Sequence, residues 1–302
     1  ISIAIAGTNG KTTTSSMLGA ILSASKLEPT MVIGGIVNKF QSNSISGNGD
    51  IIVVEADEFD RSFLTLQPTM GLITNLDLEH LDCYENLTDL QDAFTQFANA
   101  VPFYGNIAVG IDNINSANII KNINRPVVTF GVDEKAEIRA SKLRFNENYS
   151  SFILNNRDNE IGELKINVPG EHNIKNALAA ATIALNLEIT FENIKVGLNQ
   201  YSGVRRRFDI KYITDNKIMI VDDYAHHPSE VKATLKAAKT GWNKRIISIF
   251  QPHLYSRTRD FYKEFSKAFL QSDIFIITDI FEAREQPIDG ITSEIIYNET
   301  KK

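Results

Sequence analysis

The chain has 302 residues, 43% of them hydrophobic and 23% charged, with a formal net charge of −6. Such a length is expected to form about two domains with substantial cores. The acidic balance argues against general nucleic-acid binding, and no apolar run nears the ~20 residues that a membrane-spanning helix needs. A single cysteine, Cys83, excludes an intramolecular disulfide and a multi-cysteine metal site, and fits a reducing, cytoplasmic compartment.

The stretch Ile3 to Thr14 reads I-A-I-A-G-T-N-G-K-T-T-T. Four small apolar residues predict a buried strand, a glycine-rich turn follows, and three threonines open a helix. A turn of this kind points successive backbone N–H groups inward at the positive end of a helix, which favours phosphate. Lys11 adds a point charge, and the Thr12 hydroxyl suits Mg²⁺. In the pattern G-x-x-x-x-G-K-[ST] the first glycine would fall on Ile5, so Gly7-Thr8-Asn9-Gly10-Lys11-Thr12 is a tighter version. Because the chain starts inside this strand pattern, a preceding segment is expected.

Beyond the turn, Lys11 to Lys26 has helical spacing, and the Gly/Ser/Asn-rich stretch Gly34 to Asp50 predicts an exposed loop. Ile51 to Val54 is a short apolar run typical of a central parallel strand, and it leads into Glu55-Ala56-Asp57-Glu58. Gly71 to Thr74, Asn106 to Ile111 and Pro126 to Phe130 are further strand candidates, with a helix over Leu87 to Val101. This alternation predicts an α/β fold with a doubly wound parallel sheet. Ala136 to Val168 reads instead as antiparallel hairpins forming a small accessory sheet, followed by a helix over Asn173 to Leu187. Gly203-Val204-Arg205-Arg206-Arg207-Phe208 marks the expected domain boundary, dividing the chain into 1–203 and 204–302. The second part restarts the α/β rhythm with strands Lys217 to Val221, Ile246 to Phe250 and Ile274 to Thr278, and helices Ser229 to Lys239 and Arg259 to Leu270. Three strands make a small sheet for an independent domain, and Glu294 to Lys302 shows no further element.

Ligands of open α/β sheets gather at the carboxyl ends of the strands, near a topological switch point. Three polar clusters leave strands at that end: Gly7 to Thr12, Glu55, and Asn75 to His80. A carboxylate opposite a phosphate-loop threonine suits Mg²⁺ held between phosphates, so Glu55 is a candidate metal ligand or a partner of one. His80, beside Glu79 and Asp82, is a candidate for a second metal. Among Arg205-Arg206-Arg207, an arginine fork suits phosphate oxygens. Asp222 or Asp223 at a strand end suits a ribose hydroxyl. His226-His227 lack the spacing of a zinc pair and precede Pro228, where they would order the following helix.

The segments G-T-N-G-K-T-T, E-A-D-E-F-D-R-S-F-L, N-L-D-L-E-H-L-D, G-E-H-N-I-K-N-A-L-A-A, G-V-R-R-R-F, D-D-Y-A-H-H-P-S-E and F-Q-P-H-L-Y-S-R-T occur in the order found in Mur ligases, and the chain resembles that family through nearly its whole length. The resemblance is nearest to the type that joins L-alanine to UDP-N-acetylmuramate with ATP and Mg²⁺. It implies phosphorylation of the lactyl carboxylate, then attack of the amine on the acyl phosphate. It further implies an ATP loop over Gly7 to Thr13, comprising Gly7, Thr8, Asn9, Gly10, Lys11, Thr12 and Thr13. Thr12 and Glu55 would serve the first Mg²⁺ and His80 the second, with Lys11, Glu55 and His80 catalytic. Asn173 and Asn176 would meet the adenine, Arg207 the ATP phosphates and Asp223 the ribose. His253, Tyr255 and Arg257 would contribute to the substrate side, and the small-molecule partners would be UDP-N-acetylmuramate, L-alanine and ATP. A murein tripeptide ligase, a folylpolyglutamate-synthase-like ligase and a nucleotide-binding fragment inactive on its own are the competing readings.

Some positions depart from the family pattern. Asn9 replaces a histidine, Glu79-His80 stands where Asp-His is usual, and Leu254 occupies a place that often carries arginine. No lysine lies between Lys39 and Lys121, where relatives carbamylate one. The family's UDP-binding domain would precede Ile1, and its C-terminal domain would extend beyond Lys302.

Overall fold

The computed structural model describes residues 1–77 and 83–301. Its contacts divide the chain into two compact units, Ile1–Arg205 and Arg206–Lys302.

In the first unit the order is β1 (Ser2–Ala6), α1 (Lys11–Ala24), β2 (Thr30–Val37), β3 (Ser42–Ile45), β4 (Ile52–Glu55), β5 (Met70–Ile73), α2 (Leu87–Ala100), β6 (Asn106–Gly110), α3 (Ile114–Ile119), β7 (Val127–Gly131), β8 (Ile138–Asn146), β9 (Tyr149–Asn156), β10 (Asn159–Ile166), α4 (Glu171–Asn186) and α5 (Phe191–Gln200). The strands form one ten-stranded sheet in the order β10-β9-β8-β7-β6-β5-β1-β4-β2-β3. It is parallel from β8 through β2, and the expected hairpins over 136–168 join it through the β7–β8 pairing Phe130↔Ile138. They are thus the antiparallel end of the main sheet. The stretch expected as a loop from Gly34 holds the end of β2 and the largely exposed β3, which runs antiparallel to β2.

Both faces of the sheet are covered. α1, α4 and α5 share one core with Ile3, Ile5, Met31, Val53 and Leu72, while α2 and α3 close the other around Phe63, Phe94 and Phe97. This explains why Ile3 to Ala6 of β1 and all of β5 are buried without a polar residue rather than alternating. α1 is polar in sequence yet buried from Thr12 through Leu22. The buried Ser16 hydroxyl finds local acceptors: its Oγ donates to the carbonyls of Thr12 and Thr13, each at 2.9 Å. β1 lies between β4 and β5: the connection through α1 runs to the β4–β2 side, and the later connection from β4 to β5 crosses to the other side of β1. The turn after β1 therefore sits at the switch point of the sheet.

The second unit contains β11 (Asp209–Ile213), β12 (Met219–Asp222), α6 (Pro228–Gly241), β13 (Ile247–Phe250), α7 (Tyr255–Ala268), β14 (Ile274–Ile277) and α8 (Glu294–Thr300). Instead of one small sheet, the strands form two separate pairs, β11–β12 antiparallel and β13–β14 parallel. Its core joins Val231 and Leu235 of α6 to Phe250, Phe265, Phe269 and Ile296. The other face of the parallel pair is open: Ile249 is 73% exposed, and its cross-strand partner Ile276 is 45% exposed. Among the described residues, no helix is long and apolar enough to cross a membrane.

Candidate functional site

The turn after β1 is held by the segment that leaves β5. Thr8 N–H donates to the Asn75 carbonyl at 3.1 Å, and Asn9 N–H donates to Asn75 Oδ1 at 3.0 Å. Thr74 Oγ1 and Asn75 Nδ2 both donate to the Asn9 carbonyl, at 2.7 and 3.0 Å. Asn9 Nδ2 donates to Asp77 Oδ2 at 3.1 Å, and Asp77 Oδ1 accepts from Asn113 Nδ2 at 2.9 Å. Burial pushes the Asp77 carboxyl up, and these two amides offset part of that push. Asn9, the residue that departs from the family histidine, is thus one strap of this network. The sequence pattern places Thr74, Asn75 and Asp77 at a strand end; their bonding to the loop is a tertiary fact.

Gly7 (φ 127°) and Gly10 (φ 87°) adopt left-handed backbone that side chains rarely take. A Cβ on Gly7 would lie 2.1 Å from Thr74 Oγ1, and one on Gly10 would lie 2.3 Å from Asn176 Oδ1. The glycines therefore let the loop close onto both neighbours. The first intrahelical bond of α1 runs from Thr14 N–H to the Gly10 carbonyl, at 2.9 Å. The amides of Lys11, Thr12 and Thr13 open the helix and face the positive end of its dipole. Of the expected phosphate-binding amides, those of Thr8 and Asn9 are already engaged with Asn75.

Lys11 and Glu55 are held from β4 and its continuation. Lys11 Nζ lies 2.7 Å from Glu58 Oε2, 2.8 Å from the Gly7 carbonyl and 3.4 Å from that of Thr8. Burial alone would lower the Lys11 pKa, but Glu58, with Asp57 and Glu55 contributing less, raises it above the ordinary lysine value. Glu58 is only 2% exposed, and the Tyr84 hydroxyl donates to its carbonyl at 2.6 Å. Thr12 Oγ1 donates to Glu55 Oε1 at 2.9 Å, and the Gly34 amide donates to Glu55 Oε2 at 2.7 Å. Hydroxyl and carboxylate oxygens in contact are the hard donors that Mg²⁺ takes alongside water and phosphate. His80, expected on a second metal, lies outside the described residues, as do Glu79 and Asp82. Among the described residues no three His, Cys, Asp or Glu side chains cluster as a metal site.

Asn173 and Asn176 are buried at the start of α4, with Asn176 Nδ2 donating to Asn173 Oδ1 at 3.4 Å. Asn176 also lines a cavity of about 240 Å³ with Asn75, Gly110, Asp112, Phe130 and Lys175. Its Oδ1 accepts from Thr14 Oγ1 at 3.4 Å, which links this cavity to α1.

In the second unit, Arg207 Nη1 pairs with Glu230 Oε1 at 3.3 Å. Burial pushes Glu230 up, yet His226, Arg207 and the amides of His226 and His227 bring it down to about 2. His227 caps α6 and Glu230 completes the capping box, so the two histidines do order the following helix. Asp223 accepts from the amides of Phe208 and Ala225, at 2.7 and 2.8 Å. Arg257, 9% exposed, places Nη1 3.1 Å from His253 Nδ1; burial and this guanidinium lower His253 to about 4. Leu254 precedes Tyr255 at the start of α7 with φ 73°, and its side chain is buried.

The model of the Mur ligase middle domain matches residues 5–184, and that of the Mur ligase glutamate ligase domain matches residues 206–302. The chain is 46% identical over 300 residues to the UDP-N-acetylmuramate–L-alanine ligase of Geotalea daltonii, covering 99% of this chain and 65% of that protein. It is 47% identical over 301 residues to the enzyme of the same name from Persephonella marina, covering 99% of this chain and 64% of that one. The chain thus spans just under two thirds of the length of these curated relatives. Among solved structures, UDP-N-acetylmuramate–alanine ligase from Thermotoga maritima superposes with a TM-score of 0.83 at 29% identity, covering 99% of this chain and 64% of that one. A murein peptide ligase from Psychrobacter arcticus, at 23% identity and a TM-score of 0.68 over 99% of this chain and 66% of that one, shares the fold.

Proposed function

We propose that this chain, which belongs to the Mur ligase family, is the ATP-handling part of a cytoplasmic ligase that joins L-alanine to UDP-N-acetylmuramate through an acyl phosphate. The observation that carries this reading is the convergence of Lys11, Thr12 and Glu55 on the turn at the sheet's switch point, within 46% identity to proteins bearing that activity. The amides of Lys11, Thr12 and Thr13 bind phosphate oxygens at the helix end. Thr12 and Glu55 hold Mg²⁺, which supplies positive charge where a carboxylate and a triphosphate must meet. Lys11 adds an ammonium on the same side. Asn173 and Asn176 form the floor of the adenine side, His80 serves a second metal, and Arg207, Asp223, His253, Tyr255 and Arg257 complete the nucleotide and substrate contacts.

Phosphate release, followed with UDP-N-acetylmuramate and with L-alanine, glycine, serine or a murein tripeptide as acceptor, tests the assignment. L-alanine is expected to give the highest kcat/KM. A preference for the tripeptide would move the protein to the murein peptide ligases. No acceptor-dependent phosphate release, with Mg-ATP still bound, would favour a nucleotide-binding role.

A further inference from the structure

We propose that Glu58 is the resting counter-ion of Lys11 and makes triphosphate binding depend on a divalent cation. The proposal rests on the reading of the Gly7–Thr13 turn as a phosphate loop and assigns a role to a residue that the loop pattern does not include. Glu58 is 2% exposed, its Oε2 is 2.7 Å from Lys11 Nζ, and the Lys11 side chain is 12% exposed. The carbonyls of Gly7 and Thr8 accept from the same ammonium, at 2.8 and 3.4 Å. Lys11 is therefore folded back over its own loop, and its charge is spent within the protein.

A triphosphate arriving at the loop must draw Lys11 away from Glu58. That exchange takes the Lys11 charge away from a buried carboxylate beside the phosphates, and separating a buried ion pair is costly. The surroundings add to the effect: the charges of Asp57 and Glu55 also act on Lys11, though less than that of Glu58. An anion of charge about −4 meets net repulsion there, whereas the same anion carrying a divalent cation meets much less. Glu58 is well placed to stay put during the exchange. Its carbonyl accepts from Tyr84 Oη at 2.6 Å, and the Tyr84 ring is buried under the Arg61 guanidinium, 4.7 Å away. Glu58 is thus a positioning residue: it holds Lys11 over the loop in the empty state and biases the loop against metal-free anions.

Isothermal titration of the chain with ATP, once with excess Mg²⁺ and once with a chelator, reads the metal dependence as a ratio of two Kd values. Wild type is expected to bind metal-free ATP at least 100-fold more weakly than Mg-ATP; equal affinities would overturn the proposal without any variant. Glu58→Gln, which removes the charge at nearly constant shape, is expected to shrink that ratio at least tenfold, mainly by tightening metal-free binding. Glu58→Asp, which keeps the charge, is expected to retain most of the wild-type ratio. An unchanged ratio in Glu58→Gln, or loss of the ratio in both variants, would reduce Glu58 to a packing role. Absence of Mg-ATP binding in wild type would instead remove the phosphate-loop reading, and this proposal with it.

Discussion

Lys11 ends on a buried glutamate and Arg207 on a partly buried one, and different kinds of structure hold the two pairs. Lys11–Glu58 (2.7 Å) sits where a turn is tied by backbone and side-chain hydrogen bonds to β5, inside a sheet covered on both faces. Arg207–Glu230 (3.3 Å) belongs to a chain of side chains, with His226 on the same carboxylate and Tyr224 under the guanidinium, on a unit whose four strands form two separate pairs. In the first unit the backbone fixes the charges, because the neighbouring strands dictate the turn. In the second, charged and aromatic side chains fix one another, and the apolar surface behind them is only partly buried. The first arrangement holds the loop backbone ready for an anion while Lys11 rests on Glu58, and the second is more sensitive to protonation and to substitution.

The sharpest challenge to this contrast is Lys11→Ala. If the ammonium acts on the bound phosphates, acceptor-dependent phosphate release falls about 10²–10³-fold, and the melting transition drops as well, because the buried Glu58 loses the Lys11 charge. Near-normal release would remove Lys11 from the site. Leu72→Ala addresses the scaffold: it empties a fully buried position of β5, and unfolding by denaturant should show a loss of about 2–4 kcal/mol. A loss below about 1 kcal/mol would mean that the first unit is not packed as tightly as its burial implies.

Acidification separates the units next. Burial lowers His226, and lowers His227 and His253 to about 4, below the ordinary histidine value of 6.5. Between pH 6.5 and 4 these histidines bind more protons in the unfolded second unit than in the folded one, so their contribution to stability is full above pH 6.5 and falls as the pH drops, while Asp223, which burial displaces upward, offsets part of that fall. The buried His227 alone accounts for about 2–3 kcal/mol across that window. Trp242, the single tryptophan, stacks on Phe208 in this unit, so its fluorescence should report a lower midpoint at pH 5 than at pH 7. Asp77 in the first unit is displaced upward, which has the opposite sign: folding there gains when it takes up a proton. A Trp242 midpoint that is flat with pH would break the contrast. The smallest effect is expected at Ile249→Thr on the open face of β13, within about 0.5 kcal/mol of wild type by the same fluorescence, because little burial is lost.

Much of the first unit was legible in the residues. The unbroken apolar runs of β1 and β5 can exist only with both faces covered, and Gly7-Thr8-Asn9-Gly10-Lys11-Thr12 can hardly be other than a strand-to-helix turn with an ammonium beside it. Less was legible in the second unit. β11 (Asp209–Ile213) carries no strand signal in the sequence, since its exposed Ile210, Tyr212 and Ile213 do not alternate. α8 (Glu294–Thr300) is too short for helical spacing to show. α7 starts at Tyr255 rather than Arg259, because the left-handed Leu254, and not a capping side chain, sets its entry.

The sequence by itself determined which residues could carry charge and phosphate: the order of the motifs, the lysine and threonine after the second glycine, and the carboxylate at the end of β4. It could not determine which partners those residues would choose. That Lys11 rests on Glu58, that Asn9 straps the loop to Asp77 across 68 positions, and that Asp223 accepts two amides were decided only in three dimensions. Periodicity reports which face of an element is buried, but hydrogen bonds between residues far apart in sequence depend on strand order, and the order that sets β1 between β4 and β5 arises from packing the whole sheet.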